Sequence, residues 1–307
     1  MLRTSHLVID NKIFRWGSRT YLMGVLNITE DSFSGDGLRA RVSTLDPNNE
    51  HSLSSVVSLA LELGKQFVKA GVDILDVGGE STRPGSQPVS LGEELSYVIP
   101  VVSALSAELD VLISIDTYKA QVAESAIQAG AHLVNDIWGF HADPEMASVV
   151  ARWNAPVILM HNRSSWVHAE IKERLGGRYI GIAYENLIED IKRELLESVA
   201  LAQAAGISDE KIILDPGIGF GKTVEQNLEL LNRLDEIRDL GYPLLFGPSR
   251  KSFIGYTLDL PPERRLEGTT AAVAVGITRG ADLVRVHDVE FMARVVRMTD
   301  AIVRRAE

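Results

Sequence analysis

The chain has 307 residues, 45% of them apolar, and a formal net charge of −11. That length supports one large α/β domain, and the negative field disfavours nucleic acid and anionic membranes as partners. The absence of cysteine excludes disulfides, thiolate catalysis and cysteine-held metals.

The N-terminal MLRTSHLVIDNK lacks the apolar core of a signal peptide. No segment approaches the ~18 apolar residues of a membrane span, so a cytoplasmic protein is expected. Within residues 1–19, the stretch RTSHLVIDNKIFRWGSR predicts a small hairpin turning at Asp10-Asn11.

From about residue 20, short β-rich runs alternate with amphipathic segments. The runs are YLMGVLNI, ILDVGG, VLISID, LVNDI, PVILMH, KIILDP, PLLFGPS and LVRVH. They lack strict alternation, as strands buried on both faces do. Eight such units fit a single (β/α)8 TIM barrel spanning residues 1–307, with the hairpin capping its bottom, better than an open doubly wound sheet. The last helical pattern places Phe291, Val295, Met298 and Ile302 on one apolar stripe. Residues 34–54 and 162–181 are expected to be long polar loops, which in a compact domain usually carry function.

The stretch ILDPGIGFGKTVEQN (213–227) approaches a phosphate-binding loop without matching it. The pattern G-x-x-x-x-G-K-[ST] needs glycine where Pro216 stands, and the glycines at 217, 219 and 221 also miss G-x-G-x-x-G. Thr223 through Gln226 reads instead as a capping box.

Barrel chemistry gathers at the C-terminal ends of the strands. Here those ends carry Asn27, Asp76 with Glu80, Asp116, Asn135 with Asp136, His161 with Asn162, Asp215, Arg250 with Lys251, and Arg285 with His287. One strand-end aspartate is most often a turn or helix-cap residue; eight polar ends around one mouth point to a site. Asp116, Asp136, Asp215 and Asn135 offer acceptors to a flat heterocycle rich in N–H groups. Arg83, Lys251, Arg285 and His287 form a cationic cluster suited to a diphosphate. Asn27 offers one hard oxygen for Mg²⁺.

These motifs, MGVLNITEDSFSGDG (23–37), DILDVGGESTRPG (73–85), SIDT (114–117), VNDI (134–137), LDPGIGFGKT (214–223), GPSRKSFIG (247–255) and VRVHDV (284–289), resemble the dihydropteroate synthase family in content and order. The resemblance implies condensation of 6-hydroxymethyl-7,8-dihydropterin diphosphate with 4-aminobenzoate, a Mg²⁺ requirement, a homodimer and sulfonamide sensitivity. It implies that Asp116, Asn135, Asp215 and Lys251 line the pterin pocket, with Met160 near the ring. Asn27, Arg285 and His287 would hold diphosphate and Mg²⁺. Phe33, Thr82, Arg83, Pro84, Phe220 and Ser252 would form the aminobenzoate side. Asp116, Asp215, Lys251 and Arg285 would carry catalysis.

Glu30 stands where the family usually has proline, and Ser34-Gly35-Asp36-Gly37 where it usually reads S-D-G-G. A methyltetrahydrofolate-dependent methyltransferase shares the barrel but has no use for the diphosphate cluster. A non-catalytic pterin-binding paralogue is the reading that the altered loop leaves open.

Overall fold

The computed structural model describes residues 5–29, 37–45, 53–82, 86–180 and 182–304. A hairpin of β1 (His6–Ile9) and β2 (Lys12–Arg15) precedes the first barrel strand, β3 (Tyr21–Asn27). Helices α1 (Leu38–Leu45) and α2 (Leu53–Ala70) lead to β4 (Ile74–Gly78), α3 (Leu91–Glu108) and β5 (Leu112–Asp116). The chain continues through α4 (Ala120–Gln128), β6 (Leu133–Asp136), α5 (Met146–Arg152) and β7 (Val157–Met160). A second hairpin, β8 (Ala169–Lys172) with β9 (Gly176–Tyr179), comes before α6 (Leu187–Ala204) and β10 (Ile212–Asp215). Helices α7 (Val224–Asn232) and α8 (Leu234–Arg238), strand β11 (Leu245–Phe246), and helices α9 (Ser252–Leu258) and α10 (Leu266–Thr278) follow. Strand β12 (Leu283–Val286) and helix α11 (Val289–Val303) end the fold.

The eight barrel strands are ordered β10-β7-β6-β5-β4-β3-β12-β11, and every named pairing is parallel. A parallel bridge between Leu214 and Leu244, with Leu214 N–H donating to Pro243 O at 3.0 Å, closes the ring. This is the (β/α)8 barrel that the eight buried runs imply.

Two apolar cores result. The larger lies between strands and helices. The smaller fills the barrel with one inward residue from each strand: Met23, Ile74, Leu112, Leu133, Ile158, Ile213, Leu245 and Leu283. The first hairpin seals that layer from below. Phe14 lies 4.5 Å from the Tyr21 ring and Trp16 meets it edge-on at 5.7 Å, with Leu7 and Ile9 completing the plug. Asp10 takes the left-handed turn conformation, φ 52°, as the Asp10-Asn11 reading requires.

Three local expectations are corrected. Residues 38–45 and 53–54 of the first long loop are helical. The second contains the β8–β9 hairpin, whose four-residue polar strands carry too little alternation to announce themselves. On α11 the apolar stripe is out of phase: Met292, Ala293, Val296 and Thr299 face the core, whereas Phe291, Met298 and Ile302 are exposed. The helix is apolar on both sides, and small residues mark the buried one.

Candidate functional site

A cleft opens at the C-terminal ends of the strands, opposite the aromatic plug. Its floor is made of strand ends. Asp116 closes β5, Asn135 lies in β6, Met160 closes β7 and Asp215 closes β10. Each follows a run of buried apolar residues, so the sheet fixes its backbone on both sides.

Arg285, from β12, reaches across this floor. Its Nε donates to Asp76 Oδ2 at 2.6 Å and its Nη2 to Asp116 Oδ2 at 2.6 Å. Asn135 Nδ2 donates to the same Asp76 oxygen at 3.2 Å. Burial works against the Arg285 charge, but Asp76 and Asp116 outweigh it and raise its pKa. Asp116 is pushed up to about 7, chiefly by burial, with the Arg285 charge opposing. Burial likewise pushes Asp215 up to about 6, while the Gly217 N–H, donating at 2.7 Å, pulls it down.

One wall is the Gly217–Gly221 turn. Gly217 has φ +68°, and a Cβ there would fall 1.8 Å from His161 O, so glycine is required. The turn presents Phe220 to the cleft, and Lys251 Nζ sits 3.8 Å from the centre of the Phe220 ring. Beyond it, Thr223 caps α7 in a complete capping box, with Gln226 N donating to Thr223 Oγ1 at 3.2 Å and Thr223 N to Gln226 Oε1 at 2.8 Å.

The opposite rim carries Asn27, Thr82 and His287, with Ser252 at the start of α9. His287 Nδ1 is 3.0 Å from Ser249 Oγ. Arg250, at φ 58°, is bound by Asp288 at 2.6 Å and fixes the backbone just before Lys251. Phe33, Arg83 and Pro84, together with Glu30, Gly35 and Asp36, lie outside the described residues.

Not every polar strand end faces the mouth. Asp136 accepts from Trp138 N and Phe140 N, each at 2.8 Å, and serves the turn after β6. Asn162 donates to Ile137 O in the turn after β6 and accepts from Ser164 N in its own loop. His161 is buried against Lys222 and Glu194. Asp76 lies beneath the floor. For these the ordinary turn-and-scaffold role holds.

Two contributors escape sequence reading. The β8–β9 hairpin supplies Leu175, Gly176 and Gly177 to the outer wall. Arg265, which is buried, staples that hairpin to its surroundings: it donates to Leu175 O at 2.8 Å, Arg250 O at 2.9 Å and Leu260 O at 3.1 Å. Tyr256 adds a hydroxyl bond to Gly176 O at 3.1 Å. An arginine after a proline turn carries no sequence signal for such a role, since three carbonyl partners leave no motif.

Chemically, the cleft sets three side-chain oxygen acceptors (Asp116, Asn135, Asp215) beside two cations (Lys251, Arg285). That suits a planar ring with N–H donors bearing an anionic group.

Among known families, the chain matches the model of the pterin binding enzymes over residues 23–287. It is 50% identical over 298 residues to a dihydropteroate synthase of Clostridium beijerinckii, covering 97% of this chain and 99% of that one. It is 47% identical to the dihydropteroate synthase of Bacillus subtilis, covering 94% and 90%. A solved Clostridium difficile dihydropteroate synthase, determined in the presence of pteroic acid, superposes with a TM-score of 0.80 at 46% identity, covering 94% of this chain and 99% of that one. The Yersinia pestis enzyme in a sulfonamide drug complex gives 0.84 at 36% identity, covering 97% and 98%. With the family match running from the first barrel strand to the last, and relatives aligned almost end to end, the chain belongs to the dihydropteroate synthase family of pterin-binding enzymes.

Proposed function

We propose that the cleft joins 6-hydroxymethyl-7,8-dihydropterin diphosphate to 4-aminobenzoate, releasing diphosphate and forming 7,8-dihydropteroate. The observation that carries this reading is the convergence of Asp116, Asn135 and Asp215 with Lys251 and Arg285 on one floor of strand ends.

In this reading Asp215 and Asn135 hold the donor edge of the pteridine, and Lys251 its carbonyl. Departure of diphosphate develops negative charge on oxygen, which the cations Arg285 and Lys251 stabilise from fixed positions. The pterin ring delocalises the charge left on the methylene, the neutral aromatic amine attacks it, and the acidic ammonium so formed gives its extra proton to water. No strong base is required, because an aniline nitrogen is unprotonated at neutral pH. Phe220, Ser252 and Thr82 flank the acceptor; Phe33, Arg83 and Pro84 complete this side in the family pattern. Sulfonamides, as aminobenzoate mimics, would compete there.

For Mg²⁺, Asn27 is the one protein ligand proposed. No cluster of three or more His, Asp or Glu able to hold a metal occurs among the described residues. A single side-chain oxygen fits an ion that takes its other ligands from diphosphate and water. Its chemistry would be neutralisation of the leaving group.

A homodimer is supported by the exposed apolar faces of the last two helices: Val275 on α10, and Phe291, Met298 and Ile302 on α11. Sedimentation at micromolar concentration tests it, and Met298→Glu with Ile302→Glu should yield monomers. No helix is long and apolar enough to cross a membrane among the described residues. Both substrates are charged small molecules, and we place the reaction in the cytoplasm.

The test of function is direct: incubation with the pterin diphosphate, 4-aminobenzoate and Mg²⁺. Formation of dihydropteroate is expected; pterin binding without product would favour the non-catalytic paralogue instead.

A further inference from the structure

Behind the Phe220 wall lies a lysine that the reaction does not use. Lys222 is only 2% exposed and is not among the residues that line the cleft. It meets three acceptors: His161 Nδ1 at 2.9 Å, Gly217 O at 2.9 Å and Phe220 O at 3.0 Å. An ammonium has three N–H donors, so the set is matched one to one. His161 Nε2 lies 3.0 Å from Glu194 Oε2, and Glu194 is in turn held by Arg163.

The hydrogen bonds fix the protonation pattern. His161 stays neutral: burial, then Lys222, lower its pKa to about 4. Its Nδ1 must accept from Lys222, so the proton resides on Nε2 and is donated to Glu194. With His161 neutral, Glu194⁻ and Lys222⁺ bracket it in one tautomer.

Both carbonyls that Lys222 grips belong to the cleft wall. Gly217 N–H is the donor to Asp215, and Phe220 presents its ring beneath Lys251. We propose that Lys222 is a positioning residue for the reaction, clamping the Gly217–Gly221 turn against His161 so that Phe220 stands where the aromatic acceptor must stack. This rests on the acceptor assignment made above.

The clamp is sensitive to pH. Burial lowers the Lys222 pKa to about 7, opposed by Asp215 and Glu194 and reinforced by Arg163 and Lys251. His161 and Tyr184, whose hydroxyl donates to Gly221 O at 2.9 Å, are further titratable neighbours among the described residues, and burial raises the Tyr184 pKa so that it stays neutral in this range. A neutral amine has two N–H donors for three acceptors, so one of the three bonds that tie the turn to His161 is lost. The folded-state value lies below the ordinary lysine value, so the intact clamp belongs to the acid side and is lost as pH rises through about 7.

The experiment is steady-state turnover from about pH 6 to 8.5 at saturating pterin diphosphate, where the 4-aminobenzoate carboxylate stays ionised. In the wild type, KM for 4-aminobenzoate should rise about fivefold to tenfold across this range while kcat changes less than about twofold. Lys222→Met should show a raised KM, of the order of tenfold, that no longer varies with pH. Glu194→Gln removes a charge that favours the ammonium, so the midpoint of the KM profile should move down by about half a unit. Asp116 and Asp215 also titrate nearby, but they act on the pterin and are present in all three proteins. A Lys222→Met enzyme with wild-type KM, or with the wild-type pH profile, overturns the proposal. So does an unmoved midpoint in Glu194→Gln, which decides the matter alone should Lys222→Met not fold. Absence of product from the wild type at every pH would instead refute the reaction assignment.

Discussion

Arg285 and Asp116 meet at 2.6 Å across the floor of the cleft, so without substrate the site neutralises itself. The same guanidinium is bound from below by Asp76, likewise at 2.6 Å. Asp76 and Asp116 differ in what a substrate can do to them. Asp116 lines the cleft and is open to displacement, whereas Asp76 is fully buried and stays. Binding of an anionic substrate can therefore free one arm of Arg285 while the other remains anchored.

Asp76→Asn tests that anchoring. The second carboxylate oxygen, Oδ1, is buried with no hydrogen-bond partner among the described residues, so the carboxylate is kept for its charge on Arg285. Replacing the charge-assisted bond should raise the barrier by about 2–3 kcal/mol, roughly 30- to 150-fold in kcat. Melting temperature should fall by no more than about 5 °C. Wild-type turnover in the folded variant would reject the role.

Pterin affinity should depend on pH through Asp215. Its pKa is raised to about 6 in the free protein, and ring N–H donors favour the ionised form. Binding below that value must expel a proton, so affinity should weaken towards about tenfold per pH unit as pH falls below 6. Calorimetry in buffers of different ionisation enthalpy should register the released proton. Asp215→Asn should bind at least about tenfold more weakly and lose this pH dependence.

Arg265→Ala should free the β8–β9 hairpin. Three backbone carbonyls lose a buried cationic donor. The fold should lose about 2–4 kcal/mol, read by urea denaturation. Hydrogen exchange should rise at residues 175–177 and around Arg250, the two segments it joins. Exchange unchanged at both would show that the staple is not what holds them.

Lys251→Ala should behave differently from any change at Lys222. Lys251 stands at the cleft over Phe220, so its loss should cut turnover by about 100-fold or more while leaving the melting temperature within about 3 °C. Lys222→Ala leaves buried acceptors unpaired and a cavity, and should cost about 2–4 kcal/mol of stability. Lys222 looks in sequence like a loop residue ahead of a helix cap. The cap is there, but the lysine is buried.

The barrel and its floor residues were legible because one physical rule made both. Strands buried on two faces read as mostly apolar runs, and the polar residue that closes a run, such as Asp116 or Asp215, is the one at the mouth. That rule says where a side chain starts and not which way it points. Asp136 ends its strand just as Asp215 does, and His161 follows directly on β7, yet both turn into the scaffold. The outer wall was less visible, because Gly176 and Gly177 contribute backbone and Arg265 acts through carbonyls. Helix α11 shows the limit of periodicity, since two apolar stripes cannot be ranked until the neighbouring helix is in place.

The aromatic plug of Phe14, Trp16 and Tyr21 lies at the end of the barrel away from the mouth, on the apolar layer that fills it. Among the described residues, none of the plug lines the cleft and none of the cleft belongs to that layer. Inheritance can therefore treat the two ends separately. A substitution of the Phe220 or Ser252 side chain that reshapes the cleft leaves the apolar filling of the barrel untouched, because that filling is sealed at its far end.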